Sequence, residues 1–164
     1  VDVEAADALL VNSDVPKLAG LIAYRRQQLE VARARFELAL PRNPADCDIG
    51  HDLGLVLAEQ REWAKALPVL SSSRACLEGQ GRDLEAEIAR LRASDDTSPR
   101  QLRLVERREQ QRAETQRMQA VGWFNAAVAH AALGHAADAR EAAAHVADDS
   151  RYADRVRALL AQLK

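Results

Sequence analysis

The stretch Leu29-Glu-Val-Ala-Arg-Ala-Arg-Phe-Glu-Leu-Ala-Leu-Pro-Arg-Asn-Pro44 decides the fold. Its Ala32, Phe36 and Ala39 recur at four- and three-residue steps, which lines them along one face of an α-helix, with Arg and Glu between them. Pro44 cannot continue that helix, and Asp46 is a residue type that caps the next one. Working back towards the N-terminus, Arg26-Gln27-Gln28 is a short polar break, and an apolar-periodic stretch precedes it. Pro16 stands just inside that earlier helix, with Ser13 or Asp14 available as its N-cap. Residues 13–46 therefore read as helix, turn, helix.

The unit returns. Gly20 and Ala32 recur as Gly54 and Ala66, and at that same offset Leu29 and Ala19 are answered by Trp63 and Leu53. Gln60-Arg61-Glu62 is the matching polar break, so residues 47–80 form a second unit. A third copy covers residues 120–150, where Trp123, Ala127, Gly134 and Ala139 hold corresponding places. Helices that cross closely need Gly or Ala at the contact, with bulkier side chains on the flanks.

These residues carry a family resemblance. Ala32, Phe36, Ala39 and Pro44 resemble the second helix and closing proline of a tetratricopeptide repeat, and Gly20 fits the small position of its first helix. Leu53, Gly54, Trp63, Ala66 and Leu70 fit the same register, as do Trp123, Ala127, Gly134 and Ala139. The second and third copies lack the closing proline. The resemblance implies an all-α helical solenoid of about three repeats plus flanking helices, working as a non-catalytic scaffold for protein–protein interaction.

The step from Ala66 to Ala139 is longer than the step from Ala32 to Ala66, and residues 81–119 are the excess. Residues 77–94 and 100–120 are rich in Glu, Arg, Gln, Leu and Ala, all good helix formers. Between them Ser94-Asp-Asp-Thr-Ser-Pro99 supplies a turn, with Ser98 or Thr97 capping a helix that starts at Pro99. Residues 81–119 thus read as an antiparallel helical hairpin protruding by roughly 28 Å. Leu84, Ile88 and Leu91 would form a thin seam with Leu102, Val105, Ala113 and Met118. Two readings of this arm stand: a solvated spacer laced with ion pairs, or an arm that binds a partner or makes a homo-oligomer.

The ends fit a fragment of a larger repeat protein. Residues 2–11 read as the last helix of a preceding repeat. In residues 151–164, Val156, Leu159, Leu160 and Leu163 suit a capping helix. The chain opens on Val-Asp-Val-Glu without an initiating Met or a secretory leader, which reads as an excised fragment or a mature chain. The whole is a single domain, 1–164.

In a tetratricopeptide hairpin Gly54 and Ala66 face each other, which puts Cys47 and Cys76 within about one turn of being level. A disulfide between them is feasible, and two reduced thiols in a cytosolic protein are the alternative. A bond would favour a periplasmic or secreted location, as in bacterial repeat proteins of the cell envelope.

Composition narrows the remaining functions. Charged residues make up 29%, aromatics 4%, and the formal net charge is −2, which gives no electrostatic reason to expect nucleic acid. Even the Arg-rich stretch Arg100 to Arg117 is interrupted by Glu106, Glu109 and Glu114. No apolar run approaches the roughly 20 residues of a membrane span. Catalysis has no visible constellation: His51 and Asp52 are neighbours that point about 100° apart on a helix. His130 and His135 bracket a turn with no acidic residue between them to suggest a zinc helix. No cofactor or metal is expected.

The resemblance implies partner contacts on the first helix of each repeat: Lys17, Leu21, Tyr24 and Arg25, then Asp48, His51, Asp52 and Leu55, then Phe124, Asn125 and Val128. An ordinary solvated or packing role is the alternative for each. Asn125 matches an asparagine that grips a peptide's terminal carboxylate in family members. Leu21 and Asp52 stand where the rest of that clamp would need Asn or basic residues, which disfavours chaperone-tail binding. A groove with Leu21, Tyr24, Leu55 and Phe124 beside opposed charges suits an extended or helical protein segment.

Overall fold

A computed structural model describes residues 13–163. Among them are seven α-helices and no strand: α1 (Asp14–Arg25), α2 (Leu29–Ala39), α3 (Cys47–Glu59), α4 (Trp63–Arg92), α5 (Pro99–Ala132), α6 (Ala136–Ala144) and α7 (Ala153–Gln162). The helix expected over residues 2–11 lies outside the described residues. After α2 the chain tightens into a 3₁₀ turn, Leu40–Arg42, so it has left the α-helix before Pro44. Asp46 then caps α3 by accepting a hydrogen bond from the Asp48 N–H at 3.1 Å.

Three turns share one backbone design. Gln27, Arg61 and Gly134 have φ of 60°, 60° and 79°, so each steps out of its helix in the left-handed region. The residue after each donates its N–H five residues back: Gln28 to Ala23, Glu62 to Leu57 and His135 to His130, at 3.0, 2.9 and 2.9 Å. With the companion bonds of Gln27 to Tyr24, Arg61 to Ala58 and Gly134 to Ala131, this is a Schellman ending. The next helix starts in the same way each time, the N–H of Ala32, Ala66 and Ala139 bonding to the carbonyl of that same residue. The recurrence of Ala32 as Ala66 and Ala139 in the sequence thus reappears as repeated backbone geometry.

Small residues set how closely the helices approach. A Cβ added to Gly20 would lie 2.7 Å from the Phe36 ring, and one on Gly54 would lie 2.6 Å from Leu70 Cδ2. Phe36 and Leu70 are fully buried, in a core shared with Ala32, Ile49, Val56 and Ala66. The third unit replaces the bulky partner with alanine. Ala126 and Ala127 on α5 pack with Ala142 and Ala143 on α6, and Val146 and Val156 complete a second core. Val156 and Leu159 of α7 join that core, whereas Leu160 is 36% exposed. The Arg74 guanidinium on α4 lies 3.5 Å over the Trp123 ring, which also stacks with His145 at 3.7 Å. That sandwich ties α4, α5 and the end of α6 together.

Helices α4 and α5 run antiparallel and stay in step. Facing residue numbers add to about 196: Arg74 opposite Gly122, Gly81 opposite Thr115, and Glu87 opposite Arg108. Ser98 caps α5 by accepting from the Gln101 N–H at 3.2 Å. Leu84 and Ile88 are buried in the seam, Glu87 and Arg108 form a 3.0 Å ion pair, and Gln101 donates to the Leu91 carbonyl at 2.9 Å. Leu102 does not join them. It is 61% exposed, because α5 turns Gln101, Leu104, Val105 and Arg108 towards α4 and places residue 102 about 100° away.

Cys47 and Cys76 are paired across α3 and α4, with Cα atoms 5.5 Å apart, and no free cysteine remains. Beside them the Ser73 hydroxyl donates to the Cys47 carbonyl at 3.2 Å. No described helix is long and apolar enough to cross a membrane.

Candidate functional site

Helix α3 touches both α1 and α5, and the three enclose an open groove of about 400 Å³. Each helix offers one face at helical spacing. Helix α1 gives Lys17 and Leu21, α3 gives Asp48, His51, Asp52 and Leu55, and α5 gives Glu114, Arg117, Met118 and Val121. The floor is apolar, from Leu21, Leu55, Met118 and Val121, and the charges stand around it.

Those charges are unevenly committed. The Lys17 ammonium bonds Asp46 at 2.7 Å and Asp48 at 3.3 Å. Burial alone would lower its pKa, but these two carboxylates outweigh that and raise it. Arg117 bonds Glu114 at 2.9 Å on the same helix. Asp52 is different. Burial is the main force on it, the nearby Asp48 charge adds to that, and its pKa is pushed up to about 7 against the opposing pull of Lys17. His51 is 5% exposed and burial pushes its pKa down, so its imidazole is held neutral, with Nδ1 buried and without a hydrogen-bond partner among the described residues.

Six of the eleven residues expected to meet a partner share this groove: Lys17, Leu21, Asp48, His51, Asp52 and Leu55. The other five lie elsewhere. The Tyr24 hydroxyl donates to Glu59, and burial followed by that carboxylate raises its pKa. Arg25 is exposed at the end of α1. Phe124 is 6% exposed, stacked on Tyr152 at 5.0 Å beneath the Arg155 guanidinium, so it serves the second core. Val128 packs against that core, and the Asn125 amide donates to the Val121 carbonyl of its own helix at 2.9 Å.

The sequence does not single out Glu114, Arg117 and Val121 as groove residues, and it assigns Met118 to the seam of the arm, whereas all four line the groove. Their spacing of three, four and seven residues was visible, but the long α5 hid which of its turns faces α3. On the opposite flank of α3, Leu40, Pro44, Gly50, Pro68 and Val69 line an apolar cleft of about 240 Å³ beside the disulfide. Among the described residues, His130, His135 and Asp138 are the group whose side chains could hold a metal ion. No family model matches the chain, and no curated protein or solved structure shows significant similarity to it.

Proposed function

We propose that this chain is a tetratricopeptide-type helical repeat protein that binds a segment of another protein, non-catalytically, in the groove of α1, α3 and α5. The observation that carries the reading is the groove itself: an apolar floor shared by three helix faces, with Lys17, Leu21, Asp48, His51, Asp52 and Leu55 at positions where the tetratricopeptide resemblance implies partner contacts. Asp48, Asp52 and Glu114 stand against Lys17 and Arg117 around the rim, which leans acidic once Asp52 is ionised. Lys17 and Arg117 are already paired within the chain, whereas Asp52 is held near neutrality by its surroundings. A segment with an apolar side chain for the floor and a Lys or Arg for Asp52 is the best fit. The paired cysteines favour an oxidising location, periplasmic or secreted, for this scaffold.

Co-purification from the native source tests the reading, with the intact chain as bait and a Leu21→Arg/Leu55→Arg variant beside it. Specific loss of one protein from the variant supports a groove ligand, provided the variant's circular dichroism and melting are unchanged. An identical set of retained proteins would rule the groove out.

The arm supports a second reading, self-association, because Leu102 stands 61% exposed on its outer side. Replacing residues 85–111, which are level across α4 and α5 and leave Glu114 and Arg117 of the groove in place, with a short Gly-Ser linker should convert an oligomer to a monomer. A wild-type chain that is monomeric at high concentration in light scattering removes this alternative.

A further inference from the structure

The turn between α5 and α6 gathers three metal-ligating side chains. His130 lies in the last turn of α5, Gly134 reverses the chain with its φ of 79°, His135 stands at the N-cap position of α6, and Asp138 follows within the first turn of α6. One ligand atom from each lies within 4.8 Å of the others, with His130 Nδ1 at 3.8 Å from an Asp138 oxygen. The same His130 Nδ1 is buried and has no hydrogen-bond partner among the described residues. A buried imidazole nitrogen left unsatisfied needs an explanation, and a metal ion is one that uses its lone pair.

We propose that His130, His135 and Asp138 form a binding site for a divalent first-row transition metal such as Zn²⁺, which clips α5 to α6. Two imidazoles and one carboxylate are the donor set of such ions, and the oxygen-preferring Ca²⁺ and Mg²⁺ are poorly served by it. Tetrahedral ligands at about 2.0–2.1 Å from zinc are roughly 3.3 Å apart, so the cluster closes by up to about 1.5 Å on binding. His135 and Asp138 are exposed and can make that adjustment by rotation about their side-chain bonds, while His130 is partly buried. Three protein ligands leave one position for water. Of the charges acting at His130, Asp138 and Glu141 favour a cation, and His135 and Arg74 oppose it. Ligation therefore comes from the direct bonds, not from a strongly acidic field.

The test is calorimetric titration of Zn²⁺ into the chelator-treated, tag-free full chain, followed by Co²⁺ absorption spectroscopy. One ion per chain is expected, with tetrahedral-type Co²⁺ bands. His135→Ala and Asp138→Asn should each weaken binding at least tenfold, while His145→Ala, whose ring is engaged with Trp123, should not. Circular dichroism confirms that both variants, made at exposed positions, remain folded. Zn²⁺ binding weaker than about 1 mM, or undiminished in either ligand variant, overturns the proposal.

Discussion

Replacing Gly54 with alanine puts one methyl group where the structure has none to spare. Two effects compete. Alanine in a helix interior is about 1 kcal/mol better than glycine. Against this, the new Cβ would lie 2.6 Å from Leu70 Cδ2, 2.8 Å from its Cγ and 3.5 Å from its backbone nitrogen. Leu70 is fully buried and cannot swing into solvent. Overpacking of this sort costs about 1–3 kcal/mol. Gly79 on α4 separates the two effects, since a Cβ there meets nothing closer than an Arg82 guanidinium nitrogen at 3.9 Å. Gly79→Ala should therefore stabilise by about 1 kcal/mol, and Gly54→Ala should fall below it by about 1–3 kcal/mol. Urea unfolding followed by circular dichroism measures both. The decisive member is the pair Gly54→Ala with Leu70→Ala. Leu70→Ala alone should cost about 2–5 kcal/mol, and in that background the alanine at position 54 should become stabilising, because the space it needs is now open. If Gly54→Ala is as stabilising as Gly79→Ala in the wild-type background, the close approach of α3 and α4 is not what demands glycine there.

The other expectations rest on different forces. Gln27→Gly and Arg61→Gly should each stabilise by about 1 kcal/mol by removing a left-handed non-glycine residue, while Gly134→Ala should cost a similar amount; thermal melts of the three variants check this. The Cys47–Cys76 link spans 29 residues, for which the chain-entropy relation gives about 3.6 kcal/mol. Reduction, or Cys47→Ala with Cys76→Ala, should lower the urea midpoint accordingly, and thiol titration of denatured, unreduced protein should find no reactive sulfur. Asp52 adds a pH dependence. Its folded pKa of about 7 lies above the unfolded value near 3.9, so below pH 4 it is neutral in both states and costs nothing. As pH rises from about 4 to about 7 the unfolded chain releases the proton first, and stability falls by at most about 4 kcal/mol, less where the open groove lets water screen it. Asp52→Asn should flatten that slope in unfolding curves between pH 4.5 and 8.5. By the same linkage, a basic groove ligand should bind more tightly above pH 7 than at pH 5, with proton release detectable in buffers of different ionisation heat.

Sequence periodicity was enough for the described helices and for the small positions at which each pair crosses. The register sets Gly54 opposite Ala66, whereas the side chains that come closest to Gly20 and Gly54 are the bulky Phe36 and Leu70, four residues beyond Ala32 and Ala66. The groove was half legible. Helices α1 and α3 are short, so their position in the unit fixes which side faces outward. Helix α5 has 34 residues, and only its pairing with α4 determines that Glu114 to Val121, and not Phe124 to Val128, faces α3. Leu102 shows the same difficulty on a smaller scale, because Leu102 and Leu104 are equally apolar letters and only the seam distinguishes them. The histidine cluster was missed for a plainer reason. Its acidic member lies after His135, beyond a turn that folds it back, and helical spacing alone does not find a residue on the next helix.

The constant pairing of α4 and α5 makes the arm a vernier for the groove. The tip at residues 93–98 can change in length without consequence for anything below it. A single residue inserted in α5 between the tip and Glu114 is another matter: it must either break step with α4 or rotate the lower helix by about 100°, replacing one wall of the groove with a different set of side chains. An arm of this kind can be lengthened or shortened safely only by matched whole turns on both strands of the hairpin. Its length is therefore tied to the composition of a surface some distance from its end.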